Sequence, residues 1–542
     1  MTSLPKTRVL PVPGNSRGIY PSGNSSGETS DFFRRRGSSP DALRADAAPH
    51  VSQRVHVLKF GGTSVGDAAA ISRVVEIIRS TSRNCGVVVV VSAMNGVTNQ
   101  LLEAAVSAER GDHAQVAAIF ENLRKRHASA ASVLIQSPAE RERLSRLMQE
   151  LFQEGDRLCQ GTILLRELTL RVRDSIASLG ERLAAPLLAA ALRESGVASE
   201  PIEASRVIVT NSNHGGADPW MDLTSERCET CLRPLLQQGV VPVVTGFIGA
   251  TSEGVLTTLG RGGSDYSASI LAAALGCDEV VLWTDVDGML TSDPRFVSGA
   301  RTIPEISYRE AADLAYFGAK VLHPKTLRAI SQSGMPLWIR NTFAPERGGT
   351  KITPSGPARS RGVKAVTAVG SVSLITFGGK GILGVPDVLG RAFAATAMVR
   401  AEILLISHSS SQNDICLVVP SEHAQRTVQA LRREFALDLA GEEAEHISLD
   451  QNIAIVTVVG QDMRGISGIV GRAFGALGRQ HVNVVAIAQG TSDCNLSFVV
   501  AEKDVQSALV SIHREFRLGS RHRAASARSK GGAFFAQAAA NA

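Results

Sequence analysis

From Arg54 onward, short apolar runs alternate with longer helical stretches. The runs VHVLKF (55–60), GVVVVVSA (86–93), RVIVT (206–210), VVPVVTGFIG (240–249), DEVVLWTD (278–285) and PLWIR (336–340) are nearly continuous in Val, Ile and Leu. Runs of that kind predict strands covered on both faces, as in a parallel sheet. The intervening stretches, notably 98–127 and 138–170, predict long helices. Strand and helix in strict alternation predict a doubly wound, mostly parallel α/β domain over 54–341.

The pattern then changes. The stretch NTFAPERGGTKITPSGPARSRG (341–362) is dense in Gly, Pro and charge and predicts a boundary, with 342–362 as linker. Beyond it the chain repeats itself. GRAFAATAMVRAEILLISHSSSQNDICLVV (390–419) returns as GRAFGALGRQHVNVVAIAQGTSDCNLSFVV (471–500) at a constant offset of 81. Each copy predicts strand, helix, strand, strand, helix, with a glycine-rich turn before the first helix. Two copies are too few for a solenoid, so a pair of small α+β modules is expected over 363–440 and 441–516. Residues 1–53, rich in Ser, Gly, Pro and Arg, predict a disordered leader, and 517–542 a basic disordered tail.

Charge narrows the function classes. The formal net charge of +6 is concentrated at the ends. Residues 1–54 hold eight Lys/Arg against four Asp/Glu, and 517–542 five against none, which leaves the body at −3. The folded part therefore gives no electrostatic reason for a nucleic-acid partner. No apolar run approaches the roughly 20 residues that span a bilayer, so no membrane partner is expected. Seven scattered cysteines fit a reducing compartment. Cys228 and Cys231 form a CxxC, but in a helical stretch without a second pair, so no metal site is expected from it.

Candidate chemistry begins at KFGGTS, where Lys59 precedes Gly61 and Gly62. A glycine turn between strand and helix points free N–H groups at an anion, and the helix dipole adds to them. Alone, this pattern is equally a structural turn with a snorkelling lysine. A second glycine turn, TLGRGGSDYSA (258–268), an acidic loop, WTDVDGMLTSDPR (283–295), and Lys320 in YFGAKVLHPKT (316–326) accompany it. Loops at the carboxyl ends of parallel strands converge on one crevice. Glycine turns, two lysines and an acidic loop there describe a site for a nucleotide with Mg²⁺. No HRD or DFG segment supplies a base for a hydroxyl acceptor. A carboxylate needs none, being ionised at neutral pH, which suits an acyl phosphate product.

KFGGTSV, VSAMNGVTN (91–99), SLGERLAA (178–185), TGFIGA (245–250), TLGRGGSD, TDVDG…SDPR and FGAKVLHP resemble, in order, the successive signatures of aspartate kinase. The repeat that follows resembles that family's two ACT modules, most of all those of the threonine-responsive aspartokinase–homoserine dehydrogenases. With the chain ending at 542, no dehydrogenase domain is expected in it. The resemblance implies an amino-acid kinase fold transferring the ATP γ-phosphoryl group to the β-carboxylate of L-aspartate, the entry to lysine, threonine and methionine synthesis. It implies that Lys59 and Lys320 neutralise the transferred phosphoryl group, and that Asp265 organises the site. Lys59 would find its counter-charge in ATP. Arg261 would pair with the substrate α-carboxylate and Glu181 with its ammonium, with Ser92, Thr98 and Ser264 nearby. Gly61, Gly62, Thr284, Asp285, Asp287, Gly288 and Arg295 would serve the nucleotide. Leu290 stands where the family commonly has Tyr, which weakens base stacking there.

An amino-acid effector, threonine first and lysine second, is expected at the modules. Gln489 keeps the threonine-type residue in the second copy, whereas His408 replaces its counterpart in the first. Pairing of modules edge to edge would make a homodimer or homotetramer. The enzyme is expected in the cytoplasm, or in a plastid if the leader is a transit peptide. Two other readings compete: a kinase of the same fold acting on another carboxylate, against which SLGE and GRGGSD argue, and a non-catalytic sensor, which would have no use for Lys59, Asp265 and Lys320.

Overall fold

The computed structural model describes residues 54–318, 321–357, 361–378, 385–408, 415–437, 446–488 and 494–519. Its first half contains β1 (Val55–Phe60), α1 (Ala68–Ser82), β2 (Gly86–Val91), α2 (Val97–Arg110), α3 (His113–Leu134), α4 (Pro138–Leu165) and α5 (Leu170–Glu194). Then come β3 (Ser199–Ile202), α6 (Met221–Cys231), α7 (Arg233–Gln237), β4 (Val241–Thr245), β5 (Ile248–Ala250), β6 (Leu256–Thr258), α8 (Gly263–Leu275) and β7 (Glu279–Thr284). The domain closes with β8 (Glu305–Ser307), α9 (Tyr308–Tyr316), α10 (Pro324–Ile330), β9 (Leu337–Asn341) and β10 (Thr350–Thr353). Eight strands form one sheet in the order β3-β4-β2-β1-β7-β9-β10-β8. All its pairings are parallel except β9 with β10.

The run of valines in β2 shows why this sheet forms. Val87, Val89 and Val91 enter one apolar cluster with α1 and α5, while Val88 and Val90 enter another with α8. Alternation puts successive side chains on opposite faces, and both faces are dry. Helix α5 is long and apolar enough to cross a membrane by length and composition, but 89% of its apolar window is buried inside the protein. It is the central core helix of this domain.

Three expectations need correction. RVIVT (206–210) forms no ladder strand: a short 3₁₀ turn ends at Arg206, and Val209 makes only an isolated bridge to Ala250. The neighbouring edge strand is Ser199–Ile202 instead. Val207, Ile208 and Val209 are fully buried, and a buried apolar run looks the same whether or not it joins a ladder. The helical stretch 98–127 is two helices, broken at Gly111, whose φ of 77° ends α2, and capped anew by Asp112. The segment 342–362 includes β10, which pairs with β9 and β8, so the first sheet extends into it.

The repeats build β11 (Gly362–Gly378), α11 (Val385–Met398), β12 (Leu405–His408), β13 (Ile415–Pro420) and α12 (Ser421–Glu434). The second copy builds β14 (His446–Gln461), helix Ile469–Gly478, β15 (Ala486–Ala488), β16 (Asn495–Ala501) and helix Val505–Glu515. Strand, helix, strand, strand, helix occurs twice, as the repeat predicts. Both copies share one antiparallel sheet, β12-β13-β11-β14-β16-β15, with β11 and β14 paired at its centre. The duplication extends to side chains. Arg391 Nε donates to Glu434 at 2.9 Å and its guanidinium lies 4.5 Å from the Phe435 ring centre; Arg472 does the same to Glu515 at 3.0 Å and Phe516 at 4.4 Å.

Candidate active site

The carboxyl ends of β1, β2 and β7 are adjacent, and the loops leaving them are tied together by backbone. Gly61 N–H donates to Trp283 O at 3.0 Å, Ser92 N–H to Phe60 O at 3.1 Å, and Asn95 N–H to Gly62 O at 3.0 Å. Arg126 of α3 clamps the same loops from outside, donating to Asn95 O at 2.6 Å and Gly66 O at 2.9 Å. A cavity of about 340 Å³ opens there. Its lining brings together Lys59, Gly62, Ser92, Thr98, Glu181, Arg261, Ser264 and Asp265, eight of the residues singled out in the sequence. Asn95, Asn99 and Phe247 also line it; of these, the two asparagines lie inside VSAMNGVTN and could have been found there.

Helices α2 and α8 both begin at this cavity. Their N-cap residues, Gly96 and Gly262, are left-handed and offer no side-chain cap. Free N–H groups and two positive dipole ends therefore converge on the space where Lys59 and Arg261 also stand. Gly262, at φ 69°, is obligatory, because an added Cβ would lie 2.5 Å from His323 Cβ. The arrangement is built to hold anions.

Lys59 is the correction at residue level. Its Nζ lies 2.6 Å from Asp265 Oδ1, with both side chains largely buried. The counter-charge expected from ATP is thus already supplied within the chain, by the first turn of α8. A bare lysine in this position would carry an unpaired, half-desolvated charge.

Glu181 has a different environment. It is 3% exposed on α5, and its Oε2 is buried without a hydrogen-bond partner. Burial pushes its pKa up to about 8, against the opposing pull of the Ala93 N–H and the Lys59 charge. Helix α5 can come this close because residue 180 is glycine: a Cβ there would sit 2.6 Å from Ala93 Cβ. A carboxyl short of a partner, beside a cation-rich cavity, is suited to receive an ammonium group. Two turns earlier on the same helix, Asp174 anchors the approach to Arg261. It accepts from Thr258 Oγ1 at 2.6 Å, Gly215 N at 2.9 Å and His214 Nδ1 at 3.0 Å.

The second group of predicted residues lies on the neighbouring loop after β7 and does not line this cavity. Thr284 ends β7 and donates to Asp285 at 3.2 Å. Asp287 accepts from Asn341 Nδ2 at 2.6 Å and Arg347 Nη1 at 2.7 Å, and these bonds hold its carboxyl below the usual range. Gly288, at φ 122°, packs against Thr350. Arg295 is exposed and bonded to Asp293 at 3.0 Å. Lys320 and Gln489 lie outside the described residues, and His408 ends β12, exposed.

The chain matches the Amino acid kinase family over residues 54–341 and the ACT domain over 375–435 and 456–516. It is 33% identical over 473 residues to bifunctional aspartokinase/homoserine dehydrogenase 1, chloroplastic, of Arabidopsis thaliana, with 85% of this chain and 51% of that protein covered. To aspartokinase 1, chloroplastic, of the same plant it is 31% identical, with 80% of that protein covered. The chain thus spans about half the length of the bifunctional relatives it matches. Among solved structures, E. coli aspartokinase III in complex with aspartate and ADP superposes with a TM-score of 0.73 at 30% identity, over 85% of this chain and 100% of that one. The same enzyme in complex with lysine and aspartate gives 0.69 at 30% identity, over 85% of this chain and 99% of that one.

Proposed function

Because the chain belongs to the amino acid kinase family and carries a tandem ACT pair like that of its aspartokinase relatives, we propose that it transfers the γ-phosphoryl group of ATP to the β-carboxylate of L-aspartate, giving 4-phospho-L-aspartate and ADP. The observation that carries this reading is the composition of the cavity. Two helix N-termini, Lys59 and Arg261 face the Glu181 carboxyl, one oxygen of which is buried without a partner. That is the complement of an amino acid with an extra carboxylate.

In this reading the Arg261 guanidinium grips the α-carboxylate with two parallel bonds, and Glu181, ionised by the contact, takes the ammonium. The β-carboxylate is then left near Ser92, Thr98 and Lys59. A carboxylate oxygen forms the new bond to the γ-phosphorus while the bond to the ADP oxygen breaks. No general base is needed, because the nucleophile carries no proton at neutral pH. Lys59, steered by Asp265, meets the charge that spreads over the transferred phosphoryl oxygens, with Lys320 as its proposed partner. The nucleotide would lie along the loop after β7, against Thr284 and Asp285, with Asp287, Gly288 and Arg295 shaping that loop. Among the described residues no cluster of three or more His, Cys, Asp or Glu could hold a metal. Mg²⁺ bound with the nucleotide would neutralise charge on its phosphates.

Regulation by an amino acid through the ACT pair belongs to the same proposal. Threonine is favoured by Gln489, and lysine by His408 and by the lysine complex of E. coli aspartokinase III. Assembly as a homodimer or homotetramer would place effector sites between modules. Placement in the cytoplasm, or in a plastid as the names of the plant relatives print, turns on residues 1–53. Hydroxylamine converts an acyl phosphate to a hydroxamate, and this tests the reaction. With ATP, Mg²⁺ and a panel of aspartate, glutamate and succinate, hydroxamate should form with aspartate alone. Equal use of succinate would remove the roles given to Arg261 and Glu181, and no product with any of them would remove the kinase.

A further inference from the structure

The loop between β7 and β8 is pinned at both ends, and its far end is pinned by the second ACT module. Near β7, Asp287 is fixed by Asn341 and Arg347. Farther along, Thr291 is buried at 8% exposure. Its carbonyl accepts from Val366 N of β11 at 2.9 Å. Its Oγ1 accepts from Arg301 N at 2.9 Å and lies 3.0 Å from Nε2 of His513. His513 is itself buried, on the helix Val505–Glu515 that closes the second repeat. The loop then turns at Asp293, whose carbonyl accepts from Phe296 N at 3.1 Å and Val297 N at 2.9 Å. That turn delivers Val297 into the apolar cluster of the second module, with Val456, Leu509 and Ile512. A side chain of the first domain thus completes the core of the other.

Arg301 N–H occupies one lone pair of Thr291 Oγ1, which leaves the hydroxyl proton and a second lone pair to bond His513 Nε2 in either imidazole tautomer. Burial, and after it the Arg301 charge, lower the His513 pKa and so favour the neutral ring.

We propose that His513 and Val297 are positioning residues for the nucleotide loop, so that the second ACT module is a built-in strut of the ATP site, acting whether or not an effector is bound. The inference rests on the reading above that this loop takes the nucleotide. The loop closes on itself, with Thr291 N–H donating to Arg301 O and Ile303 N–H to Met289 O, both at 2.8 Å, so what the module adds is the placement of that closed unit relative to β7. If the far anchor is released, only a fraction of molecules hold the loop ready, and apparent affinity falls by that fraction.

The test uses the full chain, with ATP binding by calorimetry beside initial rates. His513→Leu should weaken ATP about five- to tenfold in both Kd and KM, the size expected for one lost buried hydrogen bond. In the same variant, kcat and the aspartate KM should stay within about twofold of wild type, since no transition-state contact is touched. His513→Gln, whose amide can still bond the Thr291 hydroxyl, should recover most of the affinity. Thr291→Val keeps the volume and removes the hydroxyl; it should reproduce the loss, and it decides the matter if His513→Leu fails to fold. A lower melting temperature with wild-type ATP affinity in both variants would overturn the strut. Its failure is distinct from that of the functional reading. ATP binding that weakens in the variants supports the strut even if no amino acid is phosphorylated. Unchanged ATP binding overturns it even if aspartyl phosphate forms normally.

Discussion

Glu181 shows at residue scale how a site is legible in sequence while its chemistry is not. The resemblance places it in SLGERLAA and gives it a ligand, but its protonation depends on burial that no motif states. Folded, its pKa is pushed up to about 8 from an ordinary 4.5. Below the ordinary value both folded and unfolded chains are protonated there, and no penalty exists. As pH rises from 4.5 toward 8 the unfolded chain loses its proton first, so stability falls across that window and levels off above it. Glu181→Gln should therefore raise the melting temperature at pH 8 and leave it unchanged at pH 4, while abolishing use of aspartate. In the wild type, an ammonium group arriving beside the carboxyl must draw its pKa down. Aspartate binding near neutral pH should release close to one proton, seen as a calorimetric heat that varies with the buffer's ionisation enthalpy. A binding heat that ignores the buffer, or a variant less stable than wild type at pH 8, would sink this assignment. The pairing of Lys59 with Asp265 was hidden for a similar reason. Both residues stand out in the sequence, but only the fold shows that α8 begins against β1.

Among elements, the long apolar strands and the repeated module were readable, because their patterns do not depend on what lies opposite. RVIVT and β10 were not: the first is apolar without a ladder, and the second is a short, polar TKIT whose ladder comes only from β8 and β9. The junction between the domains was equally unreadable. Helix α9, which leads toward Lys320, begins with a capping box in which Ser307 and Glu310 satisfy each other's backbone. Glu310 also accepts from Lys364 Nζ of β11 at 2.9 Å, with the two side chains 0% and 7% exposed. Breaking one side of such a pair strands a buried charge. Lys364→Met should cost about 3–5 kcal/mol of unfolding free energy in urea, the range for an orphaned buried ion. Adding Glu310→Gln, which keeps the cap but not the charge, should return part of it. A double variant no more stable than the single one would show that charge is not what Lys364 supplies.

On the scale of the whole molecule, the repeat predicts two modules and a shared sheet, and the sheet is completed inside one chain. β11 and β14 pair from Gly362↔Gln461 to Gly378↔His446. The strands left at the ends are β12 and β15, which approach each other closely enough for Ser407 Oγ to donate to Ile487 O at 3.1 Å. Pairing of the two copies therefore does not by itself require a second chain, and the argument for assembly moves to the effector. His408 ends β12 at one side of this approach, and Gln489 follows β15 directly in the sequence. In the second copy's glycine turn Gly468, at φ 87°, opens the helix Ile469–Gly478 with no side-chain cap, which leaves its first N–H groups without a side-chain acceptor. The glycine turn of the first copy, Gly381 to Gly384, lies outside the described residues. A ligand held there can change turnover only through its difference in affinity between two arrangements of the modules. Threonine should therefore inhibit, with lysine weaker, and each should shift the sedimentation of the chain in parallel with activity. Gln489→Ala should lower threonine sensitivity about tenfold, the loss expected when one recognising hydrogen bond to a polar effector is removed. Activity without effector should be unaltered in that variant. If threonine and lysine both leave activity untouched, or Gln489→Ala responds to threonine as the wild type does, the effector site lies elsewhere in the pair.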